Sequence, residues 1–221
     1  MFTYKSKNLI IPQREHARLA GNIAVYWGNE QYDLPRIPLS IVVKGITFHQ
    51  NGYDIFDTKP VKEMLEDVLY RVFENDFNVD MKDKNAELVN MFHQLRLVSG
   101  KVAREGSEKF EKLKKEFNQV IQTRLKSSEY TEKDYLWANR ITHLCDKLSF
   151  NFCMENKSEE KVPLYTKIDS KETIVSKHQL IDKDTIQLDM WPFSLKEIKS
   201  VVIGYEKSNY PNRLIPHLLQ F

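Results

Sequence analysis

The sequence predicts a mainly α-helical fold of the α+β class. Apolar residues recur at helical spacing between about residues 12 and 156, and short segments with strand character lie before and after this part. With 221 residues, the chain is long enough to bury a full core, so we expect one domain over residues 1–221. A hydrophobic content of 41% and a charged content of 29% are ordinary for a globular protein.

The composition argues against two classes of partner. The net charge of +2 gives no reason to expect nucleic acid. No apolar run approaches the roughly 20 residues of a membrane span, so no membrane partner is expected. Residues 1–7 have no signal-peptide core behind them. Cys145 and Cys153 would lie roughly 12 Å apart on a shared helix, too far for a disulfide. We therefore expect a cytoplasmic protein with reduced, buried cysteines.

The first elements follow from short apolar patterns. Residues 1–4 and 9–11 flank a polar turn and predict a β-hairpin. Pro12 can start a helix, and the apolar residues after it keep helical spacing up to Trp27. Gly28 would suit the C-terminal cap of that helix. His16 then lies in the first turn, on the buried face.

Residues 37–49 allow two interpretations. Their β-branched and aromatic residues favour a strand, but a fully buried helix has the same composition. Residues 61–73 predict an amphipathic helix, residues 85–103 predict another, and a third starts near Ser107.

A largely buried helix is predicted from Thr131 to about Cys153. Thr131 and Asp134 resemble a capping box at its start, and apolar residues cover much of its circumference. Asp146, in the middle of this helix, needs a partner or a metal because an unpaired buried carboxylate is costly.

The composition changes after residue 156. Residues 157–161 predict a linker, and four segments with strand character follow at residues 164–168, 173–176, 185–188 and 199–205. Two prolines predict an irregular tail over residues 210–216, before a short apolar end.

Two histidines and one carboxylate stand out as candidate metal ligands. His49 ends an apolar run and precedes a polar turn, which we expect to open it to solvent. With His16 and Asp146, it forms a set that suits iron, zinc or manganese. The alternatives are core histidines that are hydrogen-bonded, and a carboxylate paired with a basic residue or a helix terminus.

Two further histidines are weaker candidates. His143 lies one turn before Asp146 on the same helix face and is a candidate partner for its carboxylate, and His93 lies on the helix over residues 85–103. For both, an exposed or packing role is the alternative. The sequence has no glycine-rich phosphate loop, CxxC pair, HExxH or GxSxG, which argues against the enzyme classes that these motifs mark.

The order of these residues resembles a known arrangement. His16, then His49-Gln50, then Asp146 on a mostly helical chain resembles the HD-domain superfamily of metal-dependent phosphohydrolases. More closely, the whole chain resembles an uncharacterised bacterial family, the domain of unknown function three-eight-nine-one. The matching pieces are Gln13-Arg14-Glu15-His16-Ala17-Arg18-Leu19-Ala20-Gly21, His49-Gln50-Asn51-Gly52-Tyr53, Asp57 with Pro60, Leu144-Cys145-Asp146-Lys147-Leu148-Ser149, and Asp189-Met190-Trp191-Pro192-Phe193.

The resemblance implies an HD-domain-like helical core over about residues 12–156. In it, His16, the residue pair at 49–50 and Asp146 converge on one or two metals. Residues 37–49 would be a buried helix with that pair at its C-terminal end. Residues 1–11 and 162–206 would form one small antiparallel accessory sheet, which is a candidate homodimer interface.

Gln50 departs from the superfamily, in which an aspartate at this place typically bridges two metals. An amide is neutral and a poor bridge, so at most one divalent ion (Mn, Fe or Zn) per chain is expected, held by His16, His49 and Asp146. An active protein would hydrolyse a phosphorylated small molecule or nucleotide. Gln50 and Asn51 would orient water or substrate, and His93 or His143 would assist proton transfer. The alternatives are a non-catalytic binding or regulatory protein and a non-haem iron oxygenase.

Overall fold

The computed structural model describes residues 1–170, 172–182 and 184–220. Within them the chain is α+β, as predicted, and its sheets exclude an all-α classification. The helices are α1 (Gln13–Ala24), α2 (Leu39–Thr47), α3 (Glu66–Phe77), α4 (Lys84–Glu105), α5 (Glu108–Leu125) and α6 (Glu132–Cys153). The strands are β1 (Phe2–Tyr4), β2 (Leu9–Ile11), β3 (Glu160–Leu164), β4 (Ile174–Leu180), β5 (Ile186–Leu188), β6 (Val201–Glu206) and β7 (Pro216–Gln220).

The strands form two antiparallel sheets, so the expectation of one accessory sheet is wrong. The predicted hairpin joins the C-terminal strands in a sheet of order β1-β2-β6-β7, in which Leu9 pairs with Glu206. The other sheet has the order β3-β4-β5. Residues 210–215 form no helix or strand, as predicted. Strand β7 begins at Pro216 and takes up the apolar end that follows, and its Leu219 is buried opposite Val202 of β6. Phe221, the last residue of the apolar end, lies outside the described residues.

Strand β3 lies earlier than predicted. It begins at Glu160, inside the expected linker, and ends at Leu164, where the expected strand would have begun. Val162 and Leu164 alternate inward while Pro163 between them is exposed. This period of two is the pattern of a half-buried strand, which the charged neighbours of Val162 hide in the sequence.

Two helix ends differ from the sequence expectation. Helix α1 ends at Ala24 rather than near Gly28, because Trp27 forms a bridge with Phe193 and Gly28 donates its N–H to the carbonyl of Pro192. The helix predicted from residue 61 begins only at Glu66. A short 3-10 turn (Val61–Glu63) precedes it, and extended backbone at Leu65 separates the two.

Residues 39–47 are helical, which resolves the ambiguity over residues 37–49 in favour of a helix. Val42, Gly45 and Ile46 are buried, whereas the other apolar residues of α2 are partly exposed, so this helix is buried on one face only.

Helix α6 spans the core as predicted. Its capping box is present, and the Asp134 carboxylate accepts from the backbone N–H of Thr131 at 2.9 Å. Cys145 and Cys153 are buried free thiols on this helix. Helices α1 and α4 both pack on α6, and α2 packs on α1 and α4. This four-helix group brings distant parts of the sequence to one place. Among the described residues, no helix is both long enough and apolar enough to cross a bilayer.

Candidate metal centre

His16, His49 and Asp146 converge where α1, the end of α2 and α6 meet. Asp146 Oδ1 lies 3.0 Å from His16 Nε2 and 3.4 Å from His49 Nε2. The ligand atoms of the three residues all lie within 4.8 Å of one another. The structure therefore brings together the set singled out in the sequence, and the role of these residues as metal ligands stays a prediction.

His16 is held by the start of α1 and by its neighbours. The Asp57 carboxylate accepts from the backbone N–H of Gln13 at 2.7 Å and so satisfies a free donor in the first helical turn. The rings of Phe2 and Phe150 stand edge-on to the imidazole, at centroid distances of 5.2 and 6.1 Å. His16 is consequently buried in the first turn, as expected.

His49 follows α2 and is fixed from two sides. Its Nδ1 donates to the Ile46 carbonyl at 2.6 Å, and the Gln94 side-chain amide donates to the His49 carbonyl at 2.6 Å. His49 is 0% exposed, so the expectation that the following turn opens it to solvent is wrong. The turn folds back on α3 instead, where Gly52 donates its N–H to the Asp76 carboxylate at 2.6 Å.

The proton on His49 can be placed by hydrogen-bond chemistry. A backbone carbonyl only accepts, so the Nδ1 facing Ile46 carries the proton. In the neutral ring, Nε2 is then a lone pair directed towards Asp146 Oδ1 at 3.4 Å. This Nε2 is buried and has no hydrogen-bond partner among the described residues. Two groups that can only accept therefore face each other.

The hydroxyl of Ser149 decides which nitrogen of His16 carries the proton. Its hydroxyl lies 3.0 Å from the Asp146 carbonyl and 2.8 Å from His16 Nδ1. When the hydroxyl donates to the carbonyl, it accepts from His16 Nδ1, and His16 Nε2 becomes a lone pair facing Asp146 Oδ1. When it donates to Nδ1 instead, Nε2 carries the proton and donates to the carboxylate.

The charge states favour a cation at this point. Burial lowers the pKa of His16, which keeps the ring neutral at neutral pH. Asp146 Oδ2 accepts from the Arg96 guanidinium at 3.2 Å, and this positive charge favours the ionised carboxylate. A carboxylate anion thus stands beside the neutral imidazole of His16.

The donor set fits a divalent transition metal. Imidazole nitrogen and carboxylate oxygen are the ligands that zinc, iron and manganese share. Ligands about 2.0–2.2 Å from one ion lie roughly 3–3.5 Å from each other, which is the range of the two Nε2–Oδ1 distances. His49 Nε2, without a hydrogen-bond partner among the described side chains, is the atom that such an ion would satisfy.

Arg96 of α4 contacts the same carboxylate and was not singled out in the sequence. Its Nη2 lies 3.2 Å from Asp146 Oδ2 and 3.2 Å from His93 Nδ1. His93 is buried beside His49, with a centroid distance of 4.6 Å between the rings. Arg96 and Ser149 each lie three residues after a candidate residue, a spacing that places both members of each pair on one helix face.

The remaining candidates lie around the cluster to different extents. Gln50 is buried, and its Oε1 has no partner among the described residues. Asn51 is exposed. His143 is partly buried, and burial lowers its pKa to about 4. The Asp146 carboxylate is engaged by His16, His49 and Arg96 rather than by His143.

The Gly52–Asp76 contact gives the turn after His49 a pH dependence. Burial raises the pKa of Asp76 well above its ordinary value, and the hydrogen bond from Gly52 opposes this only in part. The folded state therefore binds the proton more tightly than the unfolded state, and stability falls as the pH rises above the unfolded pKa of about 3.9. An asparagine at position 76 would keep a side-chain oxygen that can accept from the Gly52 N–H, and its amide does not ionise.

We expect Asp76→Asn to be at least as stable as the parent near pH 7, with a shallower loss of stability between about pH 5 and pH 7.5. Urea denaturation at several pH values measures this. Asp80→Asn, at an exposed position, is the control and should leave the pH profile parallel to the parent's. If the profile of Asp76→Asn were parallel to that of the parent, it would contradict a raised pKa for Asp76.

A family described as "Protein of unknown function (DUF3891)" matches the chain over residues 71–206, which is more than half of its length. Asp146, Arg96 and His93 lie inside the matched segment, whereas His16 and His49 precede it. No curated protein and no solved structure matches the chain.

Proposed function

The chain belongs to the DUF3891 family, and from that premise we propose that it is a metal-dependent hydrolase of a phosphorylated small molecule or nucleotide. One divalent ion (Mn, Fe or Zn) would be held by His16, His49 and Asp146. The observation that carries the proposal is the buried, unpartnered lone pair of His49 Nε2, which among the described atoms faces a carboxylate oxygen at 3.4 Å.

We infer further that the helical part, over about residues 12–156, is an HD-domain-like core. Three features support this inference: a histidine in the first turn of α1, a second histidine just after α2, and an aspartate on the later helix α6. A bound divalent ion polarises a phosphoryl oxygen and lowers the pKa of a water molecule. Gln50 Oε1, buried and unpartnered in the described structure, is suited to orient that water.

The charges beside Asp146 favour an anionic substrate. The Asp146 and Arg96 side chains are 13% and 27% exposed, so the cluster reaches solvent on their side. Arg96 and Lys147 lie near His143, and their positive charges act with burial to lower its pKa. A phosphate that approaches Asp146 from this side meets positive charge. His143 is neutral at neutral pH and can accept a proton there.

The test is elemental metal analysis of the purified protein, before and after loading with manganese, iron or zinc. We expect about one ion per chain in the parent and none in His49→Ala, which removes one of three ligands. His217→Ala is the matched control because His217 is an exposed histidine on β7. The His217→Ala variant should bind the same number of metal ions per chain as the parent. A screen of phosphate esters with the loaded parent then tests hydrolysis.

A parent that binds no ion after loading would overturn the proposal. The cluster would then be a set of core polar groups, and the chain would be a non-catalytic binding or regulatory protein that keeps the fold.

A second candidate function follows from the ligand set itself. Two histidines and one carboxylate also describe the sites of non-haem iron oxygenases. Oxygen consumption by the iron-loaded parent, without phosphate release from any ester, would favour the oxygenase. Phosphate release without oxygen consumption would favour the hydrolase.

A further inference from the structure

One nitrogen of the Arg96 guanidinium lies within hydrogen-bond distance of both the Asp146 carboxylate and the His93 imidazole. Nη2 lies 3.2 Å from Asp146 Oδ2 and 3.2 Å from His93 Nδ1. A guanidinium has only donors and stays protonated, so His93 Nδ1 accepts and its ring carries the proton on Nε2. A carboxylate oxygen and an imidazole nitrogen thus converge on one positive charge.

Carboxylate oxygens and imidazole nitrogens, the two groups that Arg96 contacts, are also common metal ligands in proteins. Asp146 Oδ2 is the oxygen that His16 and His49 leave free, since both of them approach Oδ1. His93 is fully buried beside His49. Without Arg96, a carboxylate oxygen and an imidazole nitrogen would stand next to the first three ligands with no cation between them.

We propose that the Arg96 guanidinium takes the place of a second metal ion and restricts the centre to a single ion. Arg96 lies three residues after His93 on α4, so both side chains leave the same helix face. Because the guanidinium is part of the chain, its charge is permanently present beside Asp146. A second divalent ion at this place would meet this positive charge at close range and find both lone pairs already engaged.

The inference rests on the proposed metal site for the first ion and concerns only the number of ions beyond it. The test is the number of manganese or zinc ions per chain in the parent, Arg96→Gln and Arg96→Lys, by elemental analysis after loading and desalting. Arg96→Gln is expected to bind one ion more than the parent. Arg96→Lys keeps a cation and is expected to bind the same number as the parent.

A double variant tests whether the additional ion binds to His93. Combining Arg96→Gln with His93→Ala should remove the extra ion and leave the count of the parent. With manganese, Arg96→Gln should also show the exchange-coupled EPR spectrum of two neighbouring ions, which the parent should lack.

Equal counts in Arg96→Gln and the parent would overturn the inference. The absolute count in the parent tests the proposed function, whereas the difference between variant and parent tests Arg96, so the two failures are distinguishable. If Arg96→Gln does not fold, the imidazole nitrogen NMR shifts of His93 in the parent decide. An unprotonated Nδ1 is expected, and a protonated Nδ1 would overturn the inference.

Discussion

An Asp146→Ala variant is expected to bind no metal and to be less stable than the parent by about 2–3 kcal/mol, even in the presence of a chelator. Removal of one partner of a buried ion pair leaves the other charge without compensation. Here that charge is the Arg96 guanidinium, which donates to Asp146 Oδ2. Burial already lowers the pKa of Arg96, and Asp146 opposes this. Without Asp146, the cost of desolvating the guanidinium is offset only by the solvent that reaches this side chain, which is 27% exposed.

The chelator separates two effects of the substitution. In its presence, the free energy of unfolding reports only the contacts within the chain. With metal added, the parent should gain stability through binding to the folded state, and Asp146→Ala should gain none. Urea denaturation under both conditions gives the two numbers.

The matched control is Asp169→Ala. Asp169 also contacts a cation, that of Lys133, but its side chain is 62% exposed. Exposed ion pairs contribute little to stability because solvent screens them, so this variant should stay close to the parent and keep metal binding. A loss below about 1 kcal/mol for Asp146→Ala in chelator would contradict the view that Asp146 compensates a buried charge.

The long helices α4 and α6 were predictable because their signals are local. Apolar spacing and a capping box are enough to place α6 within a residue of its observed ends. The end of α1 was not, because it depends on Phe193 and Pro192, which are far away in the chain. Strand β7, in the apolar end for which no element was predicted, was missed for the same reason, since its hydrogen bonds come from its distant partner β6.

The cluster of His16, His49 and Asp146 was predictable because few residue types bind metals and each lies on an apolar segment. Arg96 was not. A basic residue on an amphipathic helix is ordinarily solvated, and only the packing of α4 on α6 turns this one towards Asp146. The burial of His49 was missed because the turn after it packs on α3, a contact that no local pattern reveals.

That contact makes Gly52→Ala the second substitution with a large expected effect. A Cβ at Gly52 would lie 2.5 Å from the carbonyl carbon of Asn75 and would also collide with the backbone nitrogen of Asp76. Both atoms belong to the backbone of α3, which cannot move aside as the end of a side chain can. We expect a loss of about 3 kcal/mol, at the upper end of what overpacking costs.

The same variant should weaken metal binding without touching a ligand. Gly52 follows His49 by three residues, so a turn displaced from α3 also displaces the imidazole that faces Asp146. Thermal or urea denaturation in chelator measures the stability, and a titration with zinc or manganese measures the affinity. The stability loss stands whether or not the chain binds metal, because it follows from the steric conflict alone.

Gly100→Ala is the matched control. Gly100 lies within α4, and a Cβ there would meet only the terminal Nη1 of Arg104, at 3.2 Å, which can swing away. Among the described glycines only Gly28 and Gly106 have positive φ, so conformational strain complicates neither substitution. Alanine is favoured over glycine inside a helix by about 1 kcal/mol, and Gly100→Ala should therefore match or exceed the parent in stability. If Gly52→Ala behaved like Gly100→Ala, the turn after His49 would not be packed on α3, and the burial of the histidine would need another cause.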